Sequence, residues 1–306
     1  MTTSIAFIGL GHMGGPMAAN LVRAGYIVTG FDLVPAALDA ARDSGVTVAN
    51  SAVEAVADVD VVITMLPAGR HVIGAYSGSD DTPGLLGSAR PGTLFIDSST
   101  ISVEHAHRVH ELAVAAGHRN VDAPVSGGVV GATAGTLAFM VGASPEDFAL
   151  AEPVLSRMGA RIVHCGNPGA GQAAKVCNNL ILGISMIAVS EAFVLGEKLG
   201  LSNQALFDVA SNASGQCWAL TTNCPVPGPV PTSPANRDYQ PGFSSALMAK
   251  DLALAEEAFA SVGVHAELGS LASSLYQRFA ASGGENLDFS AIINDIREKS
   301  SEKGAA

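Results

Sequence analysis

Lys175 and Asn179 are the pair of side chains in this chain whose types and spacing most suggest proton chemistry. They lie four residues apart in the segment G-A-G-Q-A-A-K-V-C-N-N, and mostly apolar residues follow them. In a helix this spacing places both side chains on one face. Burial disfavours the charged ammonium, so Lys175 could act as a general acid or base near neutral pH. The alternative is a lysine that extends to the surface beside asparagines that cap the helix.

A glycine-rich turn near the start of the chain has the pattern of a dinucleotide site. It matches G-x-G-x-x-G and consists of Gly9, Leu10, Gly11, His12, Met13 and Gly14. The turn follows an apolar run and precedes a helical pattern. Glycines in this context allow a tight turn and close approach of the backbone to a pyrophosphate at the helix N-terminus. The sequence therefore predicts dinucleotide binding at this turn.

Asp32 indicates which dinucleotide is bound. It ends the second apolar run, 18 residues after Gly14, where a carboxylate can accept hydrogen bonds from an adenosine ribose. Leu33, Val34 and Pro35 follow it, so a 2′-phosphate would meet a carboxylate and no adjacent arginine. We therefore predict NAD as the cofactor in preference to NADP.

Two more turns lie where apolar runs end, and a third loop follows later in the chain. Met65, Leu66 and Pro67 follow one run, and Asp97 to Thr100 follow the next. Ligands bind at the carboxyl ends of strands in open α/β sheets, which favours cofactor contact at both turns, although such turns also occur without a ligand. The segment from Asp122 to Gly128, D-A-P-V-S-G-G, offers unshielded backbone N–H groups and a serine hydroxyl. Such a loop can hold a carboxylate, or it can be a plain turn.

Short apolar runs alternate with helical patterns in the first half of the chain. Continuous apolar runs are typical of strands buried in a parallel sheet. We predict strands at Ile5–Ile8, Ile27–Phe31, Val61–Met65 and Leu94–Ile96, and helices at Met13–Ala24, Pro35–Ser44 and Ser102–Ala116. This alternation predicts right-handed β-α-β units and a Rossmann-type, doubly wound α/β sheet.

The second half of the chain is predicted to be all-α. Helical patterns cover Ala173–Leu199, Leu247–Ser261 and Leu268–Ala281. We predict a Rossmann-type domain over residues 1–166 and a helical domain over residues 167–306, joined by a long interdomain helix. A helix over residues 170–199 would be about 45 Å long. A proline-rich segment, P-V-P-G-P-V-P-T-S-P from Pro225, is predicted to be an ordered loop, with a polyproline ligand as the alternative.

Composition excludes several classes of function. A net charge of −12 argues against nucleic acid and anionic membranes as partners. The first residues lack the basic region of a signal peptide, and four cysteines without paired spacing suit a reducing compartment, so we expect a cytoplasmic protein. The apolar stretch from Leu180 to Gly196 approaches the length of a membrane span, but Ser185, Ser190 and Glu191 interrupt it, which favours a central helix of the fold.

A cluster of histidines and glutamates could suggest a metal site. It lies in E-H-A-H-R-V-H-E from Glu104, where His107 and Glu111 share a helix face. Mixed charges on a solvated helix explain this pattern better, so no metal is predicted.

Taken in order, these motifs resemble the β-hydroxyacid dehydrogenase family over nearly the whole chain. The motifs are G-L-G-H-M-G, M-L-P, D-S-S-T, D-A-P-V-S-G-G, G-Q-A-A-K-V-C-N-N and M-A-K-D-L. The resemblance implies that Lys175 is the catalytic lysine. It implies that the substrate is held by Ser126, Gly127, Gly128 and Asn179, with Trp218 and Phe243 lining or closing the pocket. It implies cofactor contacts, besides the glycine loop, Asp32 and Met65, at Leu66, Pro67, Thr100 and Lys250, and more weakly at His71.

Other segments narrow the resemblance to members that oxidise 3-hydroxyisobutyrate. They are S-G-Q-C-W ending at Trp218, the proline-rich loop, and Y-Q-P-G-F ending at Phe243. The resemblance also implies a small hydroxy-acid substrate and a homodimer or homotetramer. Two alternatives stay open: a tartronate semialdehyde or glyoxylate reductase of the same family, and a catalytically silent dinucleotide sensor. The chain departs from the family pattern at Arg119 and Asn120 and in the loop from Ser77 to Pro83.

Overall fold

The structure is a computed structural model that describes residues 3–79 and 82–302. The chain forms two compact units, Met1–Lys175 and Val176–Ala306. The division falls within the longest helix, whereas the domain boundary predicted from sequence precedes that helix.

Unit 1 is built around a mostly parallel sheet of nine strands within the described residues. Its strands, and those of a separate hairpin formed by β5 and β6, are β1 Ser4–Ile8, β2 Ile27–Phe31, β3 Thr47–Val48, β4 Val61–Thr64, β5 Gly78–Ser79, β6 Thr82–Pro83, β7 Leu94–Asp97, β8 Arg119–Asp122, β9 Val125–Ser126, β10 Leu137–Gly142 and β11 Gly159–Gly166. Residues 80 and 81, part of the loop noted above, lie outside the described residues.

The strand order of the sheet places a topological switch at β1. The order is β11-β10-β8-β7-β4-β1-β2-β3, and β9 pairs with β10. The chain passes from β1 outward through β2 and β3 and then returns to β4 on the other side of β1. β10 pairs antiparallel with β8 and β9, while the pairs from β8 to β3 along the sheet are parallel. In such sheets ligands bind outside the carboxyl ends of the strands at the switch.

Helices cover both faces of this sheet. They are α1 Gly14–Arg23, α2 Pro35–Asp43, α3 Ala52–Val56, α4 Gly69–Ser77, α5 Leu85–Ser88, α6 Val103–Ala115, α7 Gly128–Ala134 and α8 Pro145–Leu155. Alternate residues of each strand enter opposite cores. Phe7 packs with Met17 of α1 on one face, and Phe95 packs with Tyr76 of α4 on the other.

Unit 2 is helical. Its helices are the later part of α9 Ala170–Lys198, then α10 Asn203–Ala210, α11 Trp218–Thr221, α12 Ser245–Val262, α13 Glu267–Phe279 and α14 Ile292–Glu302, with short 3₁₀ or π segments at Pro234–Arg237, Ala280–Gly284 and Phe289–Ala291. Its described residues contain one isolated bridge, Ser244 to Asp288, and no strand. Met186, Met248 and Tyr276 form the core where α9, α12 and α13 meet.

Among the described residues, α9 is the one helix long and apolar enough to cross a membrane by length and composition. Half of its most apolar window is buried within the protein, and a core helix of a soluble protein passes the same test. The predicted proline-rich loop is confirmed as ordered, because Val226 and Val230 are buried and the Tyr239 hydroxyl donates to the Pro225 carbonyl at 2.9 Å.

Candidate functional site

The carboxyl ends of β1 and β4 meet at the predicted dinucleotide turn. The Gly9 N–H donates to the Phe31 carbonyl and the Met65 N–H donates to the Ile8 carbonyl, each at 2.9 Å. Gly9 has a φ of +96°, and a Cβ there would lie 2.3 Å from the Met65 carbonyl oxygen. Because only glycine tolerates both constraints, Gly9 fixes the turn against the β4 loop.

Gly11 and Gly14 are glycine for different reasons. A Cβ on Gly14 would lie 1.9 Å from the Gly9 carbonyl oxygen, so Gly14 is required for packing. A Cβ on Gly11 would meet no described atom within 4 Å, so the protein itself gives no reason for a glycine there. Within the described residues, no side chain caps the start of α1 at Met13. The start of α1 without a side-chain cap, beside an open glycine, fits the pyrophosphate of NAD. His12 is exposed at this turn.

Asp32 holds the glycine loop in addition to its predicted role toward a ribose. Its carboxylate accepts the Leu10 N–H at 2.6 Å through Oδ2 and the Val34 N–H at 2.8 Å through Oδ1. The side chain is half-buried at the end of β2. The charge of Asp32 is therefore placed at the loop where the adenosine end of the cofactor would lie.

The two other strand-end turns are linked by a serine and a buried aspartate. The Leu66 N–H donates to the Ser99 hydroxyl at 2.8 Å, and that hydroxyl donates to Asp97 Oδ1 at 2.6 Å. The Thr64 hydroxyl donates to the same oxygen at 2.8 Å. Burial raises the pKa of the Asp97 carboxyl from 3.8 to about 6, against the opposing effect of these hydrogen bonds. Asp97 was quoted in a sequence motif but was not predicted as a site residue.

The remaining predicted cofactor residues of unit 1 differ in exposure. Met65, Leu66 and Thr100 are half-buried, while Pro67 is exposed. His71 lies exposed on the first turn of α4, and the structure gives no contact of its side chain with the other predicted residues. Its weaker prediction rests on the family resemblance alone.

The predicted acid-binding loop has a backbone that requires glycine. Gly127 has a φ of +128° and Gly128 a φ of +61°, and α7 begins at Gly128. Ser126 precedes them on β9 and is half-buried. α7 is held to α1 because the Asn20 side-chain amide donates to the Ala132 carbonyl at 2.6 Å. The loop is thus attached to the helix that begins at the dinucleotide turn.

Lys175 lies on α9 and is buried, with 7% of its surface exposed. The first turn of this helix is bound to the sheet through Asp122, whose carboxylate accepts the Gly169 N–H at 2.7 Å and the Gln172 N–H at 2.9 Å. Burying a lysine is costly unless its amine is paired or hydrogen-bonded, so lysines are rarely found in such a place. The alternative interpretation, a lysine that extends to the surface, does not agree with this burial.

In unit 2, Asn179 is held by a buried aspartate. Its side-chain Nδ2 donates to Asp251 Oδ2 at 2.5 Å, and its Oδ1 accepts the Asn178 amide at 3.0 Å. Lys250 Nζ lies 3.5 Å from Asp251 Oδ1. Two predicted site residues, Asn179 and Lys250, therefore share one carboxylate that sequence reasoning did not single out.

The two predicted aromatic residues of unit 2 have different surroundings. Trp218 begins α11 and is 52% exposed, so it is not a core aromatic. Phe243 is half-buried and packs edge-on against Phe289, with ring centroids 5.8 Å apart. Its backbone N–H donates to Asp288 Oδ2 at 3.1 Å. Phe243 thus belongs partly to the core, and Trp218 is the one open to a ligand.

No group of three or more His, Cys, Asp or Glu side chains suited to a metal occurs in residues 3–79 and 82–302. The histidine-rich helix α6 uses its side chains otherwise. His107 Nε2 lies 3.1 Å from the Pro168 carbonyl oxygen, and Arg108 pairs with Glu111 at 3.3 Å.

Comparison with known proteins identifies the family. Residues 4–166 match the model described as the NAD binding domain of 6-phosphogluconate dehydrogenase. Residues 169–296 match the model described as NAD-binding of NADP-dependent 3-hydroxyisobutyrate dehydrogenase. A probable 3-hydroxyisobutyrate dehydrogenase of Mycobacterium tuberculosis is 59% identical over 297 residues, which are 97% of this chain and 99% of the relative. The chain belongs to the β-hydroxyacid dehydrogenase family.

Two further matches describe this β-hydroxyacid dehydrogenase more closely. The NAD-dependent L-serine dehydrogenase of Pseudomonas aeruginosa is 48% identical over 94% of this chain and 96% of its own. The solved structure of M. tuberculosis 3-hydroxyisobutyrate dehydrogenase with L-serine has a TM-score of 0.92 at 59% identity, over 97% of this chain and 100% of that chain. The protein is an NAD-binding dehydrogenase similar to 3-hydroxyisobutyrate dehydrogenase. The predicted fold class and cofactor are confirmed.

Proposed function

We propose that this β-hydroxyacid dehydrogenase oxidises 3-hydroxyisobutyrate to methylmalonate semialdehyde with NAD, as a step of valine catabolism, and that Lys175 is its general acid and base. The observation that carries the proposal is the burial of Lys175 on α9, in the unit that also carries the dinucleotide turn. The 59% identity to a probable 3-hydroxyisobutyrate dehydrogenase supports the substrate.

Proton transfer is assigned to Lys175. NAD, when bound, accepts the hydride from the carbinol carbon. Neutral Lys175 accepts the hydroxyl proton as the aldehyde forms. In the reverse direction its ammonium donates this proton and stabilises the developing alkoxide.

Substrate and cofactor are assigned to the remaining predicted residues. The Ser126 hydroxyl and the backbone of Gly127 and Gly128 would hold the substrate carboxylate, and Asn179 would bind the substrate one helical turn after Lys175. The exposed Trp218 and the half-buried Phe243 would line the pocket. NAD would be held by the glycine loop, Asp32 and the strand-end turns, which contribute the residues Gly9, Leu10, Gly11, His12, Met13, Gly14, Met65, Leu66, Pro67 and Thr100, together with His71 and Lys250.

L-Serine is a second candidate substrate. A relative that is 48% identical is named an NAD-dependent L-serine dehydrogenase, and the similar solved structure was determined with L-serine. L-Serine and 3-hydroxyisobutyrate share a primary alcohol and a carboxylate separated by one carbon. They differ in the amino or methyl group on that carbon, so the same proton and hydride chemistry serves both.

We also propose that the protein is a cytoplasmic homodimer or homotetramer. The four cysteines, all within the described residues, are free thiols, which suits a reducing compartment. Unit 2 exposes large apolar side chains that association would cover, among them Ile181 and Leu268.

The test is the initial rate of NADH formation with each candidate substrate. We expect the highest kcat/KM with 3-hydroxyisobutyrate, followed by L-serine, 3-hydroxypropionate and glycerate. A higher value for L-serine would make serine the substrate, and a preference for glycerate or for reduction of tartronate semialdehyde would support the alternative reductase. Absence of NADH formation with every acid would support the silent sensor.

The role of Lys175 is tested by Lys175→Ala. Loss of general acid and base catalysis should lower kcat by about 10² to 10⁴, with NADH affinity retained. Lys198→Ala, at the exposed end of the same helix, removes an equal charge and should leave kcat unchanged. Near-normal turnover of Lys175→Ala would refute the role.

A further inference from the structure

We propose that Asp122 and Gln172 are positioning residues that fix Lys175 relative to the cofactor-binding turn at Thr100. The proposal rests on the proposed function in assigning proton transfer to Lys175. It adds two residues that act through the backbone of α9.

Asp122 caps the helix that carries Lys175 from a distant strand. It ends β8, is 3% exposed, and accepts the Gly169 N–H at 2.7 Å through Oδ1 and the Gln172 N–H at 2.9 Å through Oδ2. The first N–H groups of a helix have no partner within the helix, and a carboxylate satisfies them while favouring the helix dipole. Burial raises the pKa of the Asp122 carboxyl, and the same N–H bonds oppose this increase.

Two glycines allow the helix and the strands to approach this closely. A Cβ on Gly171 would lie 2.3 Å from the Met140 carbonyl oxygen. A Cβ on Gly142 of β10 would lie 2.3 Å from Asp122 Oδ1. Any side chain at either position would displace the helix or the carboxylate. The first turn of α9 is therefore in contact with β8 and β10 at backbone distance.

Gln172 binds the helix to a second strand end. Its side chain is fully buried, Nε2 donates to the Ser99 carbonyl at 2.7 Å, and the Ile101 N–H donates to Oε1 at 3.2 Å. These two bonds enclose Thr100 on both sides. Breaking either bond would leave a buried polar group unsatisfied, which is unfavourable, so the two bonds together favour one geometry. Gln172 precedes Lys175 by three residues, nearly one helical turn.

The position of the helix matters for the reaction. General acid and base catalysis needs a heavy-atom separation of about 2.6–3.2 Å between the base and the hydroxyl oxygen. A displacement of about 1 Å can cost about 10² in rate. Because the stem of Lys175 is buried, a shift of the helix backbone moves Nζ with it.

Two substitutions test the proposal. Asp122→Asn keeps one acceptor oxygen and replaces the other with an amide that cannot accept an N–H. We expect kcat to fall at least tenfold, with the dissociation constant of NADH unchanged within about twofold, as for misplacement of a catalytic group. Gln172→Met keeps the side-chain volume and removes both bonds around Thr100. It should lower kcat similarly and also weaken NADH binding.

Ser144→Ala is the matched control. The Ser144 hydroxyl accepts the Asp147 N–H at 3.1 Å and caps α8, which carries none of the proposed site residues. Its removal should lower the melting temperature of the protein and leave kcat unchanged. The control therefore distinguishes a general loss of stability from misplacement of Lys175.

The outcomes separate this proposal from the proposed function. If Asp122→Asn and Gln172→Met keep normal kcat while Lys175→Ala loses it, the positioning role is wrong and the function of Lys175 stands. If Lys175→Ala also keeps normal kcat, the proposed function fails. Hydrogen exchange of the unsubstituted protein adds a test that needs no variant. The Gly169 and Gln172 amides should exchange slowly, and rapid exchange of both would overturn the proposal.

Discussion

Buried carboxylates hold the residues proposed for chemistry in this β-hydroxyacid dehydrogenase. Asp122, Asp251 and Asp288 each accept hydrogen bonds through both carboxylate oxygens or pair with a cation. Asp97 differs, because its Oδ2 is buried and has no hydrogen-bond partner among the described residues. A buried charge with incomplete bonding is costly. This is why the pKa of the Asp97 carboxyl rises to about 6.

Asp97→Asn should change how stability depends on pH. In the folded protein Asp97 binds its proton up to about pH 6, whereas the unfolded value is near 3.8. The stability contribution of the neutral carboxyl is present below pH 3.8 and is lost as pH rises through about 6. The gap between 3.8 and about 6 corresponds to about 3 kcal/mol. Relative to the parent, the variant should therefore gain about 2 kcal/mol in unfolding free energy between pH 4 and pH 7, most of the whole effect.

Urea unfolding of both proteins at each pH measures this difference, in which the effects of shared groups that do not interact with Asp97 cancel. Asp60→Asn is a control of opposite sign. Hydrogen bonds from Ser4 and the nearby Arg90 lower the pKa of the Asp60 carboxyl, so its contribution is lost as pH falls. A difference between parent and Asp97→Asn that stays constant with pH would show that Asp97 is not the buried, proton-binding group described here.

Asp32 should set the choice between NAD and NADP. Its carboxylate also accepts the Leu10 N–H, so Asp32→Ala would disturb the loop for both cofactors. Asp32→Asn keeps an acceptor and removes the charge that opposes a 2′-phosphate. We expect the ratio of dissociation constants, NADP over NAD, to fall about tenfold or more, since like charges in contact cost at least about 1.4 kcal/mol. Fluorescence titration with NADH and NADPH measures the ratio.

Asp39→Asn is the control for this change of charge. Asp39 lies on α2 and pairs with Arg42 on the surface, so its removal changes the net charge equally without touching the loop. It should leave the cofactor ratio unchanged. An equal loss of affinity for both cofactors in Asp32→Asn would contradict the assignment.

At the scale of elements, two glycines of the glycine loop have different roles. Gly14 is needed for packing, and Gly11 is proposed to be needed for ligand binding. Gly14→Ala would place a Cβ 1.9 Å from a backbone oxygen, and we expect it to lower the free energy of unfolding by about 1–3 kcal/mol. Gly11→Ala meets open space, so stability should change by no more than about 0.5 kcal/mol while NADH binds more weakly. Thermal melting without cofactor and NADH titration measure the two effects.

Gly87→Ala is the matched control for Gly11→Ala. Gly87 also faces open space, on the short helix α5, which carries no proposed site residue. It should change neither stability nor NADH affinity. If Gly11→Ala binds NADH as the parent does, the pyrophosphate does not approach the loop at Gly11.

Several elements lie close to where the sequence predicted them. The strands at Ile27–Phe31 and Val61–Thr64 and the helix at Pro35–Asp43 lie where apolar runs and periodicity placed them, within a residue at each end. β10 and β11 were not predicted. β11 lies at the sheet edge with half of its residues exposed, and it lacks a continuous apolar run. β10 pairs antiparallel with β8, a contact that no local pattern indicates.

The residues proposed to face a ligand were predicted from the sequence, and the residues that support them were not. The glycine spacing and the lysine within an apolar helix can be recognised in the sequence, because such patterns are rare in segments that only form a protein surface. Asp97, Asp251 and Gln172 look like ordinary polar residues until the fold buries them. Gln172 bonds to residues 71 and 73 positions away in the chain, and Asn179 bonds to Asp251, 72 positions away. No sequence motif spans such separations.

At the scale of the whole molecule, unit 2 leaves apolar surface to cover. Leu268 and Leu271 of α13 are 65% and 55% exposed, nearly one turn apart on one helix face. Burying such side chains contributes about 1.5–3 kcal/mol each, which favours association of chains. Size-exclusion chromatography with light scattering should therefore give the mass of two or four chains.

Substitution at this face tests where the chains associate. Leu268→Glu combined with Leu271→Glu should shift the protein toward the mass of one chain at low concentration, because the glutamates would have to be desolvated on association. Val114→Glu, at an equally exposed position on α6 of unit 1, is the control and should leave the mass unchanged. If the parent protein has the mass of one chain at micromolar concentration, the proposed oligomer is wrong. If the double variant keeps the parent mass, the α13 face is not the contact, and the oligomer forms through other surfaces.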